Sequence, residues 1–221
     1  DYAIDQLNRL ITEKTKLLIV NFPHNPTGYS PRKEEQLEII KICRKNDVYI
    51  FSDEMYRFLD HTQRAHLPSM CDVYEKSISL WGTSKTFGLA GVRIGWITSK
   101  DRGLLQKVEN FKDYLSICSS APSEILATIA LNNLDYFLQR NLEKIRHNIE
   151  LFQIFQKKHK ALFDFQAPPT SSTAFVRFHL ESSTAEFAEN LVKETGIVLL
   201  PSEAFEYGTK HARIGFGREN F

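Results

Sequence analysis

Gly82-Thr83-Ser84-Lys85-Thr86-Phe87-Gly88-Leu89-Ala90-Gly91-Val92-Arg93-Ile94-Gly95-Trp96 follows an apolar, strand-like run, Ser77 to Trp81. One lysine sits among small residues, and a second cation, Arg93, lies eight positions further on. Small residues let a flat ligand lie against the backbone. A lysine crowded by such a ligand and by a nearby cation loses its proton more readily, because desolvation and like charge both disfavour the ammonium. A neutral amine attacks carbonyl carbon and forms a Schiff base. The plainer alternative is a surface lysine at a glycine-rich turn.

Working outward, Lys16 to Phe22 is a continuous apolar run of strand length, suited to a parallel strand covered on both faces. Pro23-His24-Asn25-Pro26-Thr27-Gly28 is a dense turn signal. Ser30-Pro31 opens a helix, with serine as N-cap, proline in the first turn and Glu34 and Glu35 close behind. Asn46 stops it. Val48 to Phe51 is the next strand and ends in Ser52-Asp53-Glu54; Ser77 to Trp81 and Val92 to Thr98 follow. Strand, helix, strand is the grammar of an α/β sheet with helical crossovers. Ligands gather at the carboxyl ends of such strands. Asn25, Asp53 and Lys85 each fall just after a predicted strand, which points to one shared site.

Residues 102–115 and 122–134 read as helices, the second with Ile125, Leu126 and Ile129 facing inward. Asp135 to Phe163 is one long amphipathic helix. A smaller α/β unit follows Pro168-Pro169: a strand Ala174–Phe178, a helix Ser183–Thr195 stopped by Gly196, and strands Ile197–Leu200 and Ala212–Phe216.

The chain has 221 residues and 42% hydrophobic content, enough for a packed core and one or two domains. A net charge of +1 gives no reason to expect nucleic acid or an anionic membrane as partner. No apolar run approaches the roughly 20 residues of a membrane span, and no signal peptide opens the sequence. Cys43, Cys71 and Cys118 are odd in number and lack CxxC spacing, which suits reduced cytosolic thiols. The histidines form no metal-ligand pattern; His61 and His66, five apart, do not share a helical face.

Ser84-Lys85-Thr86-Phe87-Gly88 with Gly91-x-Arg93-x-Gly95-Trp96 resembles the pyridoxal-phosphate lysine motif of the class I/II aminotransferases, fold type I enzymes. Asn25-Pro26-Thr27-Gly28 resembles the family's NPTG turn, and Asp53-x-x-Tyr56 its Asp-x-x-Tyr segment. Arg213, in Ala212-Arg213-Ile214-Gly215-Phe216, resembles its C-terminal carboxylate-binding arginine. The resemblance implies a cofactor, pyridoxal 5'-phosphate, carried by Lys85 as a Schiff base. It implies that Arg93 holds the phosphate and that Asp53 keeps the ring nitrogen protonated. Asn25 and Tyr56 would meet the ring's phenolic oxygen, and Arg213 the substrate α-carboxylate. Stabilising a phenolate lowers the proton affinity of the coupled imine. Each assignment has a plain rival: a turn asparagine, a helix-capping aspartate, an amphipathic surface tyrosine, strand arginines in water. Arg218 is a nearby competitor for Arg213, and Glu54 for Asp53.

Two departures stand out. Gly82 occupies the position where the family often has a phosphate-binding serine, so Thr83 or Ser84 supplies that contact or it is absent. Ser202 stands in Pro201-Ser202-Glu203-Ala204-Phe205 where the family commonly has glycine.

The implied fold is α/β: a mostly parallel sheet with helices on both faces, over residues 1–143, and part of a smaller α/β domain over 144–221. The implied whole is a cytoplasmic homodimer acting on an L-amino acid and a 2-oxo acid without a metal, this sequence being an interior piece that alone binds the cofactor weakly or not at all. A lyase, decarboxylase or synthase of the same fold, or a non-catalytic cofactor-sensing regulator domain, is the alternative.

Overall fold

A computed structural model describes residues 4–62 and 66–221. The first unit opens with α1 (Ile4–Leu10), β1 (Leu17–Asn21), α2 (Lys33–Lys45) and β2 (Tyr49–Asp53). A short helix, α3 (Met70–Val73), leads into β3 (Ser77–Gly82), a 3-10 turn at Ala90–Val92 and β4 (Gly95–Thr98). The sheet runs β1-β2-β3-β4; the first two pairings are parallel and the third antiparallel. The predicted crossover is therefore β1-α2-β2, while β4 folds back along β3.

Glu35 decides where α2 starts. Its carboxylate accepts from the Arg32 backbone N–H at 2.6 Å and from the Arg32 guanidinium at 3.2 Å. The N-cap is thus Arg32 and not the predicted Ser30. Asn46 ends the helix as predicted, its side-chain amide donating to the Ile42 carbonyl at 2.8 Å. Ile39, Ile40 and Cys43 of α2 pack with Val20, Val48, Ile50, Met70 and Tyr74. Only one face of β1 is covered. Successive strand side chains point to opposite faces, so Val20 is buried while Ile19 is 68% exposed. The prediction of a strand sheltered on both sides does not hold for this chain.

Three helices come next: α4 (Arg102–Leu115), α5 (Ala121–Asn132) and α6 (Leu134–Lys158). Ile125, Leu126 and Ile129 do not face inward; Ile125 is 62% exposed, and the buried α5 residues are Ala127 and Ala130. Alanines three apart on one face let α5 lie close against α6 and the 3-10 turn. Helix α6 ends at Lys158, short of the predicted Phe163. Phe163 instead pairs opposite Phe178, in a strand that the helical period concealed.

The second sheet contains β5 (Phe163–Asp164), β6 (Thr173–Phe178), β7 (Leu200–Pro201) and β8 (His211–Gly215), in the order β5-β6-β8-β7. All its pairings are antiparallel. Helix α7 (Thr184–Thr195) starts on the Ser183 hydroxyl, which accepts from Glu186 N at 3.1 Å, and stops at Gly196 in a left-handed conformation. The predicted strand 197–200 shrinks to Leu200–Pro201, because only these residues pair with β8; Ile197 and Val198 are exposed. Ile145 and Ile149 of α6 pack with Val176, Ile214 and Phe216 of the second sheet and with Tyr56 and Leu59 from the loop after β2. One apolar cluster therefore joins that loop to the second unit, and the candidate site lies beside it.

Candidate active site

Asp53 is the last residue of β2, in register with Asn21 at the end of β1. The Asp53 carboxylate accepts from the Met55 N–H at 3.0 Å, which fixes the turn beyond the strand. The Asn21 side-chain oxygen accepts from the Asn25 N–H at 2.8 Å and holds the second turn. Arg213 reaches across from β8, where it stands opposite Phe175 of β6, and its Nη1 donates to Asn25 Oδ1 at 3.2 Å. The Arg213 guanidinium also lies 5.7 Å from the centroid of the Phe205 ring. Arg213, and not Arg218, is the arginine that meets Asn25.

Tyr56 is 4% exposed, which removes the reading of a surface tyrosine. Burial pushes its hydroxyl pKa up; the nearby Arg213 opposes that shift and Asp53 adds to it. Lys85 is exposed, with Nζ 5.7 Å from the centroid of the Tyr56 ring. Lys85 thus meets Tyr56, Arg213 meets Asn25, and Asp53 fixes the turn that leads into Tyr56.

Arg93 stands apart from these contacts. It is exposed, adopts a left-handed backbone with φ 58°, and donates from Nη1 to the Ala90 carbonyl of its own loop at 3.0 Å. That loop is closed by Gly88 N–H to Lys85 O at 3.1 Å and Leu89 N–H to Thr83 O at 3.0 Å. Thr83 is spent on the same closure, its hydroxyl donating to the Ile94 carbonyl at 3.1 Å. Gly82 has a steric reason. A Cβ there would sit 2.9 Å from the Ile94 carbonyl oxygen and 3.0 Å from Gly95 Cα, so a serine requires β4 to move. Ser202, the other departure, is fully buried; its hydroxyl donates to the Gly208 carbonyl at 3.2 Å and accepts from His211 N–H at 3.1 Å.

Several residues that hold the site carry no local sequence signal. The Gly28 carbonyl accepts from the Thr170 hydroxyl at 2.8 Å, a partner 142 positions away. His24 Nδ1 is 2.8 Å from the Thr27 hydroxyl, and burial lowers the imidazole pKa. Thr86 and Asn141 brace the lysine loop from within the core.

The sequence matches the description "Aminotransferase class I and II" over residues 2–220. The chain belongs to the class I and II aminotransferase family. It is 28% identical over 220 residues to aromatic-amino-acid aminotransferase 2 of Thermococcus litoralis, covering 97% of this chain and 56% of that protein. It is 26% identical over 214 residues to capreomycidine synthase of Streptomyces vinaceus, covering 96% of this chain and 54% of that one. A crystal structure of a PLP-dependent aminotransferase from Streptococcus suis 89-1591 superposes with a TM-score of 0.90 at 29% identity, over 97% of this chain and 56% of that one. The chain spans about half the length of the curated relatives it matches.

The family's cofactor is pyridoxal phosphate, and the donors here fit it. A primary amine stands beside a phenol, a guanidinium bonds an amide, and a carboxylate ends the strand between them. Among the described residues no group of three or more His, Cys, Asp or Glu is placed to hold a metal, and no helix is long and apolar enough to cross a membrane.

Proposed function

We propose that this chain carries the cofactor lysine and the substrate arginine of a pyridoxal-phosphate-dependent aminotransferase that moves an amino group between an L-amino acid and a 2-oxo acid. The reading rests on one observation above all: Lys85 Nζ lies 5.7 Å from the centroid of the Tyr56 ring, while Arg213 reaches from the second sheet to bond Asn25. When bound, pyridoxal phosphate supplies an aldehyde that captures amines and a ring that withdraws electrons from the α carbon.

The protein's own work is then positional and acid–base. Lys85 Nζ would hold the cofactor, and as a free amine it would serve as the general base and acid at the substrate α carbon. Asp53 would keep a proton on the ring nitrogen. Asn25 and Tyr56 would donate to the phenolic oxygen. Arg213 grips the α-carboxylate with two parallel N–H groups, which orients the α bonds. Arg93, which bonds the Ala90 carbonyl of its own loop here, would have to turn to hold the phosphate, and Gly82 offers no side chain to assist it.

The working enzyme is a cytoplasmic homodimer, with residues 1–143 in its larger domain and 144–221 in its smaller one; α6 runs through that division. The match to a synthase, together with a PLP-dependent cyclase structure at TM-score 0.89 and 25% identity, supports a second reading, a synthase built on the same residues. Borohydride reduction of the cofactor-loaded full-length protein, followed by peptide mass mapping, is expected to fix a pyridoxyl group on Lys85 and on nothing in Lys85→Ala. Label on another lysine ends the proposal. A panel of amino acids offered with 2-oxoglutarate or pyruvate then separates transfer from ring closure.

A further inference from the structure

Thr86 follows Lys85 directly and is fully buried. Its hydroxyl donates to the Arg57 carbonyl at 2.8 Å, with the Met55 carbonyl a second acceptor at 3.3 Å. The same oxygen accepts from the Trp81 indole N–H at 3.2 Å. Its backbone carbonyl accepts from the Asn141 side-chain amide of α6 at 2.9 Å. Met55 and Arg57 are the two neighbours of Tyr56, so the residue after the lysine grips the peptide on both sides of the tyrosine.

The gripped turn is itself rigid. The buried Glu54 carboxylate pairs with Arg57 Nη1 at 3.1 Å and accepts from Met70 N–H and the Ser79 hydroxyl, each at 2.9 Å. Thr86 therefore ties the lysine loop to a fixed reference. A buried hydroxyl must find an acceptor, and here the acceptors are the two carbonyls that flank Tyr56.

We propose that Thr86 is a positioning residue whose hydroxyl sets where Lys85 Nζ stands relative to the Tyr56 hydroxyl and the Asp53 carboxylate. The proposal rests on the reading of Lys85 as the cofactor-bearing amine. With the tie cut, Tyr56 would meet the cofactor's phenolic oxygen less well, and a proton on Lys85 Nζ would be held more tightly.

The test uses the full-length, cofactor-loaded protein. Thr86→Val removes donor and acceptor at nearly constant volume, and Thr86→Ser keeps both. The readouts are the pH midpoint of the visible absorbance band and the melting temperature of the cofactor-free protein. Thr86→Val is expected to raise the midpoint by about half a pH unit or more, while Thr86→Ser stays near wild type. A lowered melting temperature with an unmoved midpoint overturns the proposal and leaves a purely structural threonine. Should the valine variant fail to fold, Thr86→Cys carries the same test, since a thiol donates and accepts weakly; an unmoved midpoint there overturns it equally. A wild-type protein without a visible band is a different failure, and removes the Lys85 reading itself.

Discussion

Replacing Gly28 by alanine separates backbone strain from steric clash at the turn that presents Asn25. Gly28 has φ +69°, and a Cβ built on it would meet Pro168 Cβ at 2.5 Å, the Thr170 carbonyl oxygen at 2.8 Å and the Thr173 carbonyl oxygen at 3.1 Å. None of these is the loose end of a long side chain. Holding alanine in the left-handed region costs about 1–2 kcal/mol, and forcing a methyl into filled space adds about 1–3 kcal/mol. The sum, about 2–5 kcal/mol, is a large part of the roughly 5–15 kcal/mol that holds a domain together. Two controls split it. Gly196 has φ +75° but open space around its Cβ position, so Gly196→Ala should lose the strain alone. Gly91 has neither positive φ nor a neighbour within 4 Å, and Gly91→Ala should stay within about 0.5 kcal/mol of wild type. Urea unfolding at constant m-value measures all three. If Gly28→Ala and Gly196→Ala lose the same stability, the clash with the 168–173 segment is not there and the argument fails.

Two further substitutions test other parts of the structure. Tyr74 is buried, its hydroxyl donates to the Val48 carbonyl at 2.7 Å, and burial, with Cys43 next in effect, pushes its pKa up to about 12 from 10.0. A raised folded-state pKa gives stability that is complete below pH 10.0 and lost as pH rises toward about 12. Tyr74→Phe should cost about 1–3 kcal/mol at neutral pH by stranding the Val48 carbonyl, and should flatten the alkaline decline, leaving the part due to Cys43. An alkaline limb unchanged in a urea-unfolding pH series would count against this. Arg213→Lys replaces a planar fork by a point charge. In the full-length enzyme it should weaken use of carboxylate substrates by roughly 10- to 100-fold in kcat/KM, as expected for losing a charge-assisted hydrogen bond of about 1.5–3 kcal/mol; undiminished kcat/KM would remove Arg213 from the carboxylate.

The strands of the first sheet and the cluster around Tyr56 were readable because they rest on local information. Apolar runs of strand length end at Phe51 and Trp81, within two residues of the strand ends at Asp53 and Gly82. The motifs carried chemically distinctive residues at fixed offsets. What escaped depends on distant partners. Nothing near Ile125 says that Ala127 and Ala130 will be the packed side of α5, since both faces of that helix are apolar. Phe163 continued the helical period of α6, yet its pairing partner Phe178 lies fifteen residues ahead. Arg32 displaced Ser30 as the cap because Glu35 accepts from the Arg32 backbone N–H, and arginine is not among the side chains that usually mark a cap. Thr86 lay inside the quoted motif and still passed unnoticed, because its acceptors belong to a loop some thirty residues earlier. The orientation of Arg93 toward Ala90 is a matter of one rotamer, which no spacing encodes.

Strand β1 forms one border of its sheet, and beside that border Leu17 and Ile19 stand uncovered. Unmatched peptide groups next to bare aliphatic side chains act as a template for whatever extended polypeptide arrives first. Along β1 that template is five residues long, Leu17 to Asn21, and a lysine in place of Ile19 is expected to blunt it.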